Sequence, residues 1–119
     1  MKSFLPFAIL CISHLALAQA ADSLYLVTYS LGSAWDMSKS PQDQVYFKEH
    51  SGHLSKLRSD GVISAGARYS DKGMIFIKSR SLKDALAVIN SDQAVINNLF
   101  RVEVHKIQVF YEGCLERPK

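Results

Sequence analysis

FKEHSGHLSKLRSDGVISAGARYSDKGMIFIK, residues 47–78, is the stretch whose reading decides the fold of this chain. Phe47, His50, Leu54 and Leu57 recur at spacings of three, four and three, which is one face of a 3.6-residue helix. Gly61 supplies the helix stop. Val62 to Ala67 then reads as a strand, Ser70 to Gly73 as a turn, and Met74 to Lys78 as a second strand. A helix that runs straight into a hairpin places an α-β-β unit at the centre of the chain.

Working outward, Leu24 to Tyr29 is rich in β-branched and aromatic residues and predicts a strand before the helix. Leu31 to Ser40, around Trp35, reads as a loop longer than the usual connection, and long loops are often functional. Ser40-Pro41, with Asp43 in the first turn, predicts that the helix starts there and runs to Asp60. Downstream, Ser81 with Asp84 resembles a capping box, opening a helix with the stripe Leu82, Ala85, Leu86 and Ile89. Ser91-Asp92 caps a short helical turn through Ala94 to Leu99, and Arg101 to about Tyr111 is the last strand. Val102 and Val104 share one parity of that strand while Ile107, Val109 and Tyr111 take the other. Either a bulge lies near His105-Lys106 or both faces are covered in different places.

The resulting order, β-α-β-β-α-β, is the split, ferredoxin-like arrangement of the α+β class, with helices on one face of a four-stranded antiparallel sheet. The opposite sheet face also carries apolar residues. A second copy of the chain is its simplest cover, so a homodimer is expected.

Composition bounds the rest. The chain has 119 residues, 48% of them hydrophobic and 21% charged, which is one domain's worth with ordinary globular usage. Lys2, an apolar run from Phe4 to Leu17 and the small-residue pattern Ala18-Gln19-Ala20 describe a secretory signal peptide over residues 1–20. The run is shorter than the roughly 20 residues of a spanning helix, so no membrane association is expected after cleavage. A single domain over residues 21–119, exported to the periplasm or secreted, is the expectation. Losing Lys2 takes the formal charge from +3 to +2, too little and too scattered to suggest a nucleic-acid partner. Cys11 leaves with the leader, so Cys114 stays alone, either an inert thiol or an intermolecular link.

The order and spacing His50-x-x-x-Leu54-x-x-Leu57-x-x-x-Gly61-x-Ile63-x-Ala65-Gly66 resembles the YciI-like (YCII-related domain) family. So do Ser81-Leu82-x-x-Ala85, Asp92-x-x-Val95 and the closing Val102-Glu103-Val104-x-x-Ile107. The resemblance covers roughly residues 24–111. It implies a ferredoxin-like unit that pairs into a dimeric α+β barrel, with a His–Asp pair in a cleft between helix and sheet. The matching positions are His50, eleven residues before Gly61, and Asp71, in the loop after Ala65-Gly66. The family usually has Pro after Ala-Gly where this chain has Ala67-Arg68, and its Asp-bearing loop is longer. Its characterised relatives include a dehydrochlorinase acting on a chlorinated aromatic ring, which implies lyase- or isomerase-like proton transfer on a small, aromatic molecule.

Each of these residues has a plainer role. His50 is either a general base steered by a carboxylate or a structural histidine satisfied within the core. Asp71 is either its partner or a turn residue. Trp35 and His53 are further expected ligand contacts, and Arg68 an expected anchor for an anionic group. Glu49-His50-x-x-His53 places its histidines at i, i+3 rather than the i, i+4 of the zinc-protease helix, and no third ligand has a compelling spacing. No metal or other cofactor is expected. The alternative to an enzyme is a dimeric binding module without chemistry.

Overall fold

The structure, a computed structural model, describes residues 21–119. The signal peptide assigned to residues 1–20 lies outside the described residues. Among the described residues, four strands and three α-helices follow one another as β1 (Ser23–Leu31), α1 (Phe47–Ser59), β2 (Ile63–Tyr69), β3 (Lys72–Ser79), α2 (Leu82–Asn90), α3 (Gln93–Ile96) and β4 (Phe100–Ile107). The strands form one antiparallel sheet in the order β2-β3-β1-β4. Among the described residues, no helix is long and apolar enough to cross a membrane.

The helix expected from Pro41 is broken in two. Pro41–Asp43 forms only a 3-10 turn, and Tyr46 sits at φ 69°, so α1 starts at Phe47. Ser40 spends its hydroxyl on the Asp43 carboxylate at 2.7 Å rather than on a backbone cap. The far end of α1 follows the sequence. Gly61, at φ 74°, donates to the Arg58 carbonyl at 3.1 Å, and Val62 donates to Leu57 at 2.9 Å. These two bonds are the Schellman pattern, and they satisfy carbonyls that the helix would leave open. Arg58 then reaches across with Nη1 to the carbonyls of Ile63 and Ser64, where β2 shifts register against β3 between Ile63 and Ala65. The irregularity in the sheet is therefore in β2. β4 pairs with β1 in unbroken register from Phe100 to Ile107, without the bulge considered at His105-Lys106. Val109 and Tyr111 lie beyond the strand and are exposed, while Ile107 stays in β4 and projects from the sheet face opposite to that of Val102 and Val104.

Tyr25, Val27 and Tyr29 of β1 and Ile75 and Ile77 of β3 point to the helical side of the sheet and are buried. They meet Leu57 of α1 and Ala85 and Ile89 of α2. Each fully buried side chain such as Ile77 or Ile89 contributes about 1.5–3 kcal/mol. The stripe expected on α2 is narrower than its pattern, because Leu82 and Leu86 are exposed and Val88 packs against the core instead. The capping expectation for α2 holds, with the Ser81 hydroxyl accepting from the Asp84 amide at 3.1 Å. On the other face of the sheet Leu24, Leu26, Met74, Phe76 and Ile107 remain half-exposed.

The loop after β1 is fastened at both ends. Gly32 donates to Leu99 at 2.8 Å and Ala34 to Asn98 at 3.0 Å. A Cβ on Gly32 would stand 2.0 Å from the Asn98 carbonyl oxygen, so only glycine passes there. Farther along, the buried side chain of Gln44 accepts from the Asp36 amide and donates to the Asp36 and Lys39 carbonyls.

Candidate functional site

A cavity of about 580 Å³ opens between the N-terminal half of α1 and the helical side of the sheet. Phe47 and His50 come from α1, Tyr29 from β1 and Phe100 from β4, while Trp35 closes one side from the fastened loop. The β2–β3 hairpin supplies the opposite wall through Gly66, Arg68, Asp71 and Gly73. Five rings, those of Tyr29, Trp35, Phe47, His50 and Phe100, share the wall with aliphatic side chains such as Leu54 and Ile75. His50 lies 4.7 Å from the Phe100 ring centre and meets Tyr29 edge-on at 5.1 Å, and Trp35 packs on Phe100 at 5.6 Å. Such walls suit a flat apolar body, with a few polar groups to orient it.

His50 is buried, 8% exposed, because the α1 stripe turns it toward the sheet. Its Nδ1 lies 2.5 Å from Oδ2 of Asp92, which is 1% exposed. An ionised carboxylate only accepts, so Nδ1 carries the proton and donates it to Asp92. That tautomer leaves Nε2 with its lone pair and, among the described residues, without a protein partner. Asp92 reaches this position through a second bond, its Oδ1 accepting from the Ala94 amide at 2.9 Å as the cap of α3. Burial alone would raise the Asp92 carboxyl. The hydrogen bonds from His50 and the Ala94 amide, helped by His50 and His53 whenever either is protonated, outweigh that and hold it below the usual carboxylate range.

Tyr29 completes the inner wall. Burial first, and the Asp92 charge second, push its phenol far above the ordinary tyrosine value, so it remains a neutral donor. Its hydroxyl is the only buried side-chain polar atom without a partner among the described residues.

The residues singled out from sequence fall in three places. His50, Trp35, Arg68 and Asp71 all line the cavity. Asp71 does so from the exposed tip of the two-residue hairpin loop, and the carboxylate bonded to His50 is Asp92. His53 stands outside the cavity wall, with Nε2 donating to the Val88 carbonyl at 3.1 Å, which ties α1 to α2. Sequence reasoning passed over Asp92 because its capping role already explained it. The signal that could have found it is that a histidine on a buried stripe needs an acceptor, and a cap carboxylate facing the core is one. Tyr29 was legible only as a strand residue and Gly73 only as a turn residue, and Phe100 fell between the last helical turn and the last strand.

Comparisons of the chain with protein-family models, with curated proteins and with solved structures gave no match.

Proposed function

We propose that this chain is a small, exported YciI-like protein whose cavity binds a small aromatic molecule and moves a proton on it, with His50 as general base. The observation that carries the reading is the buried His50–Asp92 pair in an aromatic-walled cavity. Asp92 fixes the tautomer that frees Nε2 and stabilises the imidazolium formed when Nε2 takes a proton. The strand order β2-β3-β1-β4, with a helix after β1 and another after β3, supports a ferredoxin-like unit. The half-exposed apolar residues on the outer sheet face support pairing of two such units into a dimeric α+β barrel. Residues 1–20 support export by their sequence pattern alone.

The test is proton exchange. Phenylpyruvate, an enolisable aromatic keto acid, is incubated with the purified protein in heavy water and followed by NMR. The reading expects faster loss of the benzylic proton signal with wild type than with His50→Gln, whose fold is checked by circular dichroism. Equal rates remove His50 as the base. Binding without any catalysed exchange favours the second reading, a dimeric binding module in which the His50–Asp92 pair only fastens α1 to α3. Pairing is read separately, by light scattering at micromolar concentration, where a monomeric mass contradicts it. The first residue of protein recovered from the culture medium or periplasm tests export, with Ala21 expected.

A further inference from the structure

The sheet ends in two outer strands, and the chain treats their free edges differently. On β2 the ladder shifts register between Ile63 and Ala65, and the Arg58 guanidinium takes up the carbonyls of Ile63 and Ser64. Register breaks and covered backbone groups are ways in which proteins blunt an edge. β4 has neither. It pairs with β1 residue for residue from Phe100 to Ile107, and among the described residues no strand pairs with its far side. A long, regular edge of this kind is a template for one more strand.

The side chains of β4 select that strand. Arg101, Glu103, His105 and Ile107 stand in the rows of the outer sheet face, and Phe100, Val102, Val104 and Lys106 in those of the helical face. Two copies of β4 related by a two-fold axis perpendicular to the sheet run antiparallel, and residues opposite each other then share a face. The axis must therefore pass through a residue. Centred on Arg101, Glu103, His105 or Lys106, it sets a polar side chain against its own copy. Centred on Val104, it sets Glu103 against His105 but Lys106 against Val102. Centred on Val102, it sets Arg101 against Glu103 twice on the outer side. On the helical side Phe100 then meets Val104 twice, beside a Val102–Val102 pair. In that register the charges of the strand favour pairing rather than block it. Arg101 and Glu103 are exposed. Among the described residues Arg101 makes no ion pair, and Glu103 meets only His105, at 3.5 Å. Phe100, Val102 and Val104 are half-buried, so apolar surface remains along the edge.

We infer that the free edge of β4 is a docking surface for a second copy of this chain, paired antiparallel about Val102, with Arg101 against the partner's Glu103. The two four-stranded sheets become one continuous sheet with all helices on the same side. Phe100, a wall of the cavity, then lies beside the partner's Val104. This surface is the edge of the sheet, separate from the outer face whose pairing is proposed above, and either contact forms without the other.

Charge exchange tests it. Self-association is followed by sedimentation from micromolar to near-millimolar protein at low salt, and circular dichroism and the melting temperature check that each variant folds. Arg101→Glu and Glu103→Arg each turn two attractive cross-strand pairs into repulsive ones, so each should weaken association about tenfold or more. The chain carrying both exchanges should associate like wild type, and an equimolar mixture of the two single variants should form the mixed pair. Cross-linking reads the register. In a Cys114→Ser background, Arg101→Cys and Glu103→Cys chains should form disulfides in mixture and not alone, because directly opposite residues lie within the reach of about 4.4–6.8 Å between Cα atoms and diagonal ones beyond it. Unweakened association by the single variants, no recovery in the double exchange, or cross-links formed as readily within one variant as in the mixture each overturns the edge pairing and leaves the outer-face dimer standing. A wild type that stays monomeric throughout overturns the second copy as occupant, and the outer-face dimer with it.

Discussion

Asp92→Ala removes one carboxylate and breaks two buried contacts. The Ala94 amide loses its cap, worth about 1 kcal/mol. His50 keeps a donor at Nδ1 with nothing to receive it, in a residue only 8% exposed, at about 1–3 kcal/mol. Together the expected loss is about 2–4 kcal/mol, a large share of the roughly 5–15 kcal/mol that holds a domain together. Urea unfolding at neutral pH, followed by far-ultraviolet circular dichroism, measures it. A loss under about 1 kcal/mol would refute the pairing and with it the fixed tautomer of His50. The same variant carries a pH signature. The Asp92 carboxyl is held low in the folded protein, so its contribution is present above the unfolded value near 3.9 and fades as pH falls through the lower folded value. Wild type should therefore lose its advantage over Asp92→Ala below about pH 4. Asp92→Asn separates stability from chemistry. If its amide oxygen keeps the Ala94 cap, its amide nitrogen faces Nδ1 and drives the His50 proton to Nε2. That variant should stay folded, show the opposite tautomer in imidazole nitrogen NMR, and catalyse no proton exchange.

Other substitutions probe the elements that hold the site in place. Gly32→Ala drives a Cβ into the Asn98 carbonyl at 2.0 Å and should cost about 1–3 kcal/mol or more in urea unfolding, since both partners are backbone. Ser81→Ala should cost about 1 kcal/mol by the same measurement through loss of the α2 cap. Gln44→Ala removes three hydrogen bonds from the loop that carries Trp35, and faster amide exchange should appear at Asp36, whose amide donates to Gln44.

The order of elements was legible because each is bounded by local chemistry. Gly61 ends α1, Ser81 opens α2 and Asp92 opens α3, each through bonds within a few residues of itself. The break before α1 was not legible. Proline after serine signals a helix start, and nothing local announces that Tyr46 will take a left-handed conformation and restart the helix at Phe47. The exposure of Leu82 and Leu86 was hidden for a related reason, since apolar spacing defines a stripe but not which part of it meets the sheet. For the site, His50 was visible as a polar residue on a buried stripe. Its partner was not, because the two are 42 positions apart and meet only when α1 and α3 pack. Asp71 was the nearer choice by resemblance, and the hairpin that carries it closes in two residues and leaves it at the exposed tip.

Trp35 is the only tryptophan in the chain, and it stands in the cavity wall against Phe100. The intrinsic fluorescence of the protein at long excitation wavelengths therefore has one source, and that source is the site. Far-ultraviolet circular dichroism reports on the whole sheet and helices instead. In a denaturant series the two signals become separate witnesses, one to the cavity and one to the fold. Coincident transitions would mean that the aromatic wall opens only when the whole domain does. An earlier change in emission would mean that the loop carrying Trp35 lets go first, and would time the opening of the cavity without any added label.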